Sequence, residues 1–127
     1  MSPCVLDTSA VLAWLREEPG ADVVDCLLEE AIMGAANWSE LAQKLLQHGA
    51  DAHQTTARLA TLGLTVEAFT AADALRAAEL WPATRRAGLS LGDRACLALA
   101  TRLELLAVIA DQAWSTLELP ATVQTIR

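Results

Sequence analysis

The sequence has no tyrosine, one phenylalanine and a single lysine, Lys44, and its three cysteines are odd in number and far apart. Cys4, Cys26 and Cys96 form no CxxC pair, so neither a disulfide framework nor a cysteine-built zinc site is indicated. Each falls in an apolar segment and is expected to be a small buried hydrophobe in a reducing compartment. No run of about 18 apolar residues is present, which excludes a helical membrane span. The first residues lack the basic segment and apolar stretch of a secretory leader. A soluble, cytoplasmic protein is the expectation. Sixteen acids against eight Arg and one Lys leave a formal charge of −7. That balance excludes a general nucleic-acid binder, because phosphates attract clustered Lys and Arg. Any work on nucleic acid must therefore be confined to a local site, with cations drawn from solution.

What is present is apolar material in quantity. The chain has 127 residues, 54% of them hydrophobic, enough for one domain over residues 1–127 with its own core. "CVL" before Asp7 and "LLAVIA" before Asp111 are apolar on both faces, as central strands covered on both sides should be. "AIMGAA", "LTVEAF" and "ATVQTI" read as further strands. Thr8 or Ser9 can cap a helix over "AVLAWLRE", and Pro19-Gly20 ends it. Further helices are predicted over about 21–30, from Asn37 to Gly49, over 52–61, after Thr70 and from Leu91 to about Glu104. "RRAGLSLGD" reads as a loop. Strands alternating with helices predict an α/β sandwich of three layers around a mostly parallel sheet.

Four acids stand out by position. Asp7 and Asp111 each end an apolar strand, and ligands of open parallel sheets bind beyond the carboxyl ends of the strands. Glu40, three residues after Asn37, and Asp93, three after Ser90, begin helices, which start at that same edge. Asp93 also falls in line with Cys96, Ala100 and Leu103, on the inward side of its helix. Carboxylates so gathered repel one another, and Mg²⁺ or Mn²⁺, which prefer oxygen ligands, would relieve the repulsion. Each acid also has a plain structural reading. Asn37-x-x-Glu40 and Ser90-x-x-Asp93 resemble capping boxes, Asp7 with Thr8 and Ser9 could be turn chemistry, and Asp111 could cap a helix near Gln112. Their joint placement favours a metal site.

"VLDTSAVLAWL", "NWSELAQKL", "LSLGDRACLALA" and "VIADQAW" resemble, in order and spacing, the four acidic motifs of PIN-domain ribonucleases. The nearest likeness is to the toxins of VapBC toxin–antitoxin pairs. The resemblance implies a metal-dependent endoribonuclease in which Asp7, Glu40, Asp93 and Asp111 bind Mg²⁺ or Mn²⁺, with Thr8 and Ser9 as supporting polar residues. It also implies a small VapB-type antitoxin as partner, and we expect a homodimer through an apolar helical face. One departure is Ile109, where many members have Thr. Two rivals fit less well. A haloacid-dehalogenase-like phosphatase wants Asp where Ser9 stands, and a receiver domain wants a late Lys that the chain lacks. A non-catalytic binding or phosphate-handling α/β domain is the remaining alternative. Among other residues, His48 and His53 read as surface groups, and Asp73 as part of a cap after Thr70. Trp14 and Trp38 read as core or partner-facing, Trp81 and Trp114 as packing residues with stacking as the alternative. Arg85, Arg86 and Arg94 read as surface cations with a possible reach to phosphate.

Overall fold

A computed structural model describes residues 2–127. Five strands form one parallel sheet: β1 (Cys4–Leu6), β2 (Ala31–Gly34), β3 (Thr65–Glu67), β4 (Leu106–Ile109) and β5 (Val123–Thr125), in the order β3-β2-β1-β4-β5. Seven helices connect and cover them: α1 (Thr8–Leu15), α2 (Ala21–Leu27), α3 (Ala35–Gln47), α4 (Ala52–Thr61), α5 (Ala71–Glu79), α6 (Trp81–Thr84) and α7 (Leu91–Leu103). Short 3-10 turns lie at Leu28–Glu30, Arg85–Ala87 and Gln112–Thr116. This is the expected α/β sandwich, and the sheet is parallel throughout.

The two apolar strands are the middle of it. β1 pairs with β4 in register Cys4–Leu106, Val5–Ala107 and Leu6–Val108, and β1 is wholly buried. Alternate residues of β1 serve opposite layers, as the period of two requires. Cys4 and Leu6 pack with α1, α2, α3 and α4 residues such as Val11, Val24, Leu41 and Leu59. Val5 packs with Cys96, Leu97 and Ala100 of α7. Six consecutive residues of α7, Ala95 to Ala100, are buried, so this helix is enclosed on every side rather than lying on a surface. β3, at the sheet edge, is largely exposed, in keeping with the alternation of "LTVEAF".

Four local expectations need correction. The cap of α1 is Asp7 itself, whose side chain accepts the Ser9 N–H, rather than Thr8 or Ser9. α3 begins at Ala35 directly after β2, with Gly34 at its cap, so Asn37 lies inside the first turn and caps nothing. Two alanines, strong helix formers, let the helix start before the polar residue that seemed to mark it. Cys26 is exposed, while Cys4 and Cys96 are buried as expected. The loop read over "RRAGLSLGD" is shorter than expected, since residues 85–87 form a 3-10 turn and α7 starts at Leu91. Among the described residues, no helix is long and apolar enough to cross a membrane.

Candidate functional site

The sheet order reverses direction between β1 and β4, because the chain builds outward from β1 through β2 to β3 and then returns to add β4 and β5 on the other side. A crevice opens at such a point beyond the strand ends. Asp7 follows β1 and Asp111 follows shortly after β4, so the two acids flank that point. Two hydrogen bonds fix the geometry. The Asp7 N–H donates to the Val108 carbonyl at 2.9 Å. The Ala110 N–H donates to Ser9 Oγ at 3.0 Å. Ser9 in turn donates to Asp7 Oδ2, from its hydroxyl at 2.6 Å and from its backbone at 3.0 Å.

α3 supplies the second wall. Asn37 is completely buried, and its side-chain amide donates to the Gly92 carbonyl at 3.0 Å, with Asp7 Oδ1 and Thr8 Oγ1 each at 3.4 Å. The Thr8 hydroxyl donates back to the Asn37 carbonyl at 3.1 Å. Asn37 thus ties together the starts of α1, α3 and α7. Reading it as a cap missed this role. The available signal was its spacing to Leu41, which puts it on the buried side of α3. Asn37 Oδ1 is buried and has no protein partner.

Glu40, one turn further along α3, rests its carboxylate against α7. A Cβ placed on Gly92 would lie 3.0 Å from Oε2 and 3.1 Å from Oε1. Glycine at 92 therefore leaves the room that Glu40 occupies. Asp93 closes a capping box with Ser90, accepting the Ser90 N–H at 2.8 Å while Ser90 Oγ accepts the Asp93 N–H at 3.2 Å. The structural reading of Asp93 and its placement at the site are therefore both true. Asp7, Glu40 and Asp93 share the wall of one cleft of about 380 Å³ with Ser9 and Ser90. Asp111 is exposed and lies outside that wall, but its charge acts on Asp93.

The electrostatics follow from this crowding. Burial pushes the Asp7 carboxyl up to about 7, the Ser9 bonds oppose the rise, and the charges of Asp93 and Glu40 add to it. Asp93 is also raised, first by burial and then by Glu40 and Asp111, against its bonds to Ser90. Cys96, beneath the site, is raised well above the usual thiol range by burial and by the neighbouring acids. Such a cluster attracts cations and holds protons when none are near.

The donor set is chemically suited to a hard divalent cation, being carboxylate and hydroxyl oxygen. Among the described residues, no three His, Cys, Asp or Glu side chains are gathered into a finished cage. Mg²⁺ does not require one, since it usually keeps several waters and takes one or two carboxylates together with substrate phosphate.

Other expected residues fall elsewhere. His48 and His53 are exposed. Asp73 forms the expected capping box with Thr70. Arg94 donates to the Ala77 carbonyl at 2.9 Å and packs α7 onto α5. Trp114 is buried in the core, whereas Trp81 is half exposed with Arg85 over its ring at 5.2 Å. Trp14 donates to Asp25 at 3.1 Å across α1 and α2. Ile109 is fully buried, so nothing polar stands where the usual Thr would.

An open parallel sheet with carboxylates gathered at its switch point defines an acid-lined α/β domain. The chain belongs to the PIN domain family, whose pattern matches residues 4–118. No curated protein matches the chain. Its fold is similar to that of a toxin–antitoxin complex from Klebsiella pneumoniae, with 16% identity, 98% of each chain covered and a TM-score of 0.75. It is similar also to DNA-bound VapBC from Salmonella typhimurium, with 13% identity, full coverage of both chains and a TM-score of 0.72. VapBC2 from Rickettsia felis, bound to a DNA fragment from its promoter, gives 14% identity, 98% coverage of each chain and a TM-score of 0.70.

Proposed function

We propose that the protein is a metal-dependent endoribonuclease acting as the toxin of a type II toxin–antitoxin pair. The observation that carries this is the convergence of Asp7, Glu40 and Asp93 in one cleft at the switch point, with Asp111 acting on Asp93, in a PIN-family chain. In this reading Asp7, Asp93 and Asp111 hold Mg²⁺ or Mn²⁺, and Glu40 completes the set directly or through water. A bound divalent ion lowers the pKa of its water and offsets charge on a phosphodiester.

The chain's own groups do the rest. Ser9 holds Asp7 Oδ2, which leaves Oδ1 toward the Asn37 amide. Asn37 keeps α1 and α7 at fixed separation, so that Asp7 and Asp93 stay paired across the cleft. Glu40, whose carboxylate rests beside Gly92 at the start of α7, would in this reading orient the attacking water or hold the ion through water. No covalent intermediate with the protein is needed.

The partner proposed is a small VapB-type antitoxin, in line with the complexes named above. Trp14 and Leu15, both partly buried, line a second cleft of about 400 Å³ between α1 and α2, together with Asp22, Asp25 and Arg58. An amphipathic segment with apolar anchors and a basic residue would suit that surface. A second copy of the chain, joined through an apolar helical face, completes the proposed assembly.

The test is cleavage of single-stranded or loop RNA by the purified protein. Cleavage should stop with EDTA and resume with excess Mg²⁺ or Mn²⁺. Mn²⁺ should also raise Tm by mass action. EDTA-resistant cleavage, or no Mn²⁺ binding at millimolar concentration by calorimetry, would overturn the metal-dependent reading.

A further inference from the structure

A protein with a charge of −7 and nine Lys and Arg residues has few cations to place, and three of the nine line the acid cleft: Arg16, Lys44 and Arg127. Lys44 is the only lysine in the chain. The three come from separate parts of the fold. α1 presents Ser9, Leu12 and, just past its end, Arg16 to the cleft, and α3 presents Glu40 and Lys44. Both helices start at the carboxyl edge and carry their cation seven residues beyond the residue that touches Asp7, Ser9 in one and Asn37 in the other. At 1.5 Å per residue that is about 10 Å along each axis. The third cation arrives from the far side. Ile126 is buried and donates its N–H to the Ile109 carbonyl at 3.0 Å, which anchors the backbone beside Arg127. Gly20 allows this approach, since a Cβ there would stand 2.6 Å from the Ile126 carbonyl oxygen.

Neutralising the acids does not explain these cations. Among the described residues, none of the three forms an ion pair with Asp7, Glu40 or Asp93. Arg127 pairs with Glu18 at 3.2 Å, and both side chains are more than a third exposed. An exposed pair of that kind is weak and readily exchanged. Arg16 lies seven residues past Ser9 and Lys44 one turn past Glu40, and all three cations open into the same cleft without pairing with Asp7, Glu40 or Asp93 among the described residues.

We infer that Arg16, Lys44 and Arg127 form a cationic rim that grips the backbone phosphates flanking the scissile one, and so position a single-stranded polyanion across the acids. This rests on the nuclease reading above and supplies what an acidic protein otherwise lacks, a local means of holding RNA. The three are positioning residues, and their loss should appear in KM with little change in kcat.

The test uses the full chain in an Asp93→Asn background, with fluorescence anisotropy of a labelled oligouridine 12-mer in Mg²⁺ over a range of KCl concentrations. Each phosphate contact to a single strand contributes about 0.7 to the slope of log K against log salt. Arg16→Gln, Lys44→Gln and Arg127→Gln should each lower the slope by about that amount, and the triple variant by about 2. Arg76→Gln, on the exposed face of α5, should leave it unchanged. With active-site acids intact, the triple variant should raise KM for RNA on the order of tenfold at unchanged kcat. A slope unchanged in the triple variant, no measurable RNA binding, or a fall in kcat at constant KM overturns the rim. Rim-dependent binding by a protein that never cleaves RNA would instead overturn the nuclease reading and leave the rim standing.

Discussion

Two helices of this protein begin in the same way and end up with opposite chemistry. α5 opens with Thr70 and Asp73, α7 with Ser90 and Asp93, and both pairs close a capping box. Asp73 is 1% exposed, and its Oδ1 accepts from Arg102 Nε at 2.8 Å. Burial acts to raise its pKa, but the Arg102 and Thr70 bonds outweigh burial and hold the carboxyl below its ordinary value. Asp93 has the same local bonds, yet its neighbours beyond the cap are Glu40 and Asp111, and its carboxyl is raised. Asp7 shows the more extreme case, at about 7. The fold can satisfy a buried aspartate, as it does between α5 and α7. At the switch point it gathers acids, and among the described residues no cation forms an ion pair with Asp7 or Asp93. An uncompensated cluster is costly in a folded protein, and its concentration at one sheet edge marks that edge as the place of function.

The largest expected contrast comes from the same substitution at the two boxes. Asp93→Asn should reduce RNA cleavage by about 10²-fold or more, the scale of removing one group that stabilises transition-state charge. Asp73→Asn should leave kcat unchanged. Equal effects on cleavage would erase the distinction between the two acids.

Stability should show the reverse. Asp73→Asn removes the charge facing Arg102, whose side chain is 30% exposed, and should cost roughly 1–3 kcal/mol. Asp93→Asn removes a repelled charge, keeps a cap acceptor and should raise Tm in EDTA. Denaturant titration of both variants at pH 7.5 checks the pair.

The pH dependence should also differ in sign. Between the unfolded carboxylate pKa near 4 and about 7, folded Asp7 keeps its proton while the unfolded chain releases it. The native state then binds more protons, so this contribution to stability is full below about pH 4 and is lost as pH rises to about 7. For Asp73, with its lowered pKa, the contribution is present above the unfolded pKa and lost as pH falls through the folded one. In EDTA, Asp7→Asn should therefore gain Tm over the wild type as pH goes from 5 to 8. A constant difference between the two across that range would contradict the raised Asp7.

The smallest effect expected is at Gly92. Gly92→Ala puts a methyl about 3 Å from the Glu40 carboxylate, which must shift by a few tenths of an ångström. Alanine is the better helix former by about 0.5–1 kcal/mol. The variant should be no less stable than the wild type but a few-fold slower in cleavage. Unchanged activity would show that the position of Glu40 against α7 is not critical.

The layers and the edge were legible from the residues alone. Two strands apolar on both faces had to be central, and the acids that end them had to lie at one side of a parallel sheet, because hydrophobic burial and strand direction leave little choice. The second turn of α3 and the first turn of α7 then bring Glu40 and Asp93 to that side. Tertiary structure decided what local pattern cannot express. It moved the start of α3 ahead of Asn37 and made that residue a buried tie among three helices. It exposed Cys26, and it brought Arg16, Lys44 and Arg127 from distant positions to one cleft. It also separated two capping boxes of the same form by giving Arg102 to Asp73 and two acids to Asp93. A cap is set by backbone geometry within four residues. The charge environment of a carboxylate is set by whichever elements pack against it, and that information lies along the whole chain.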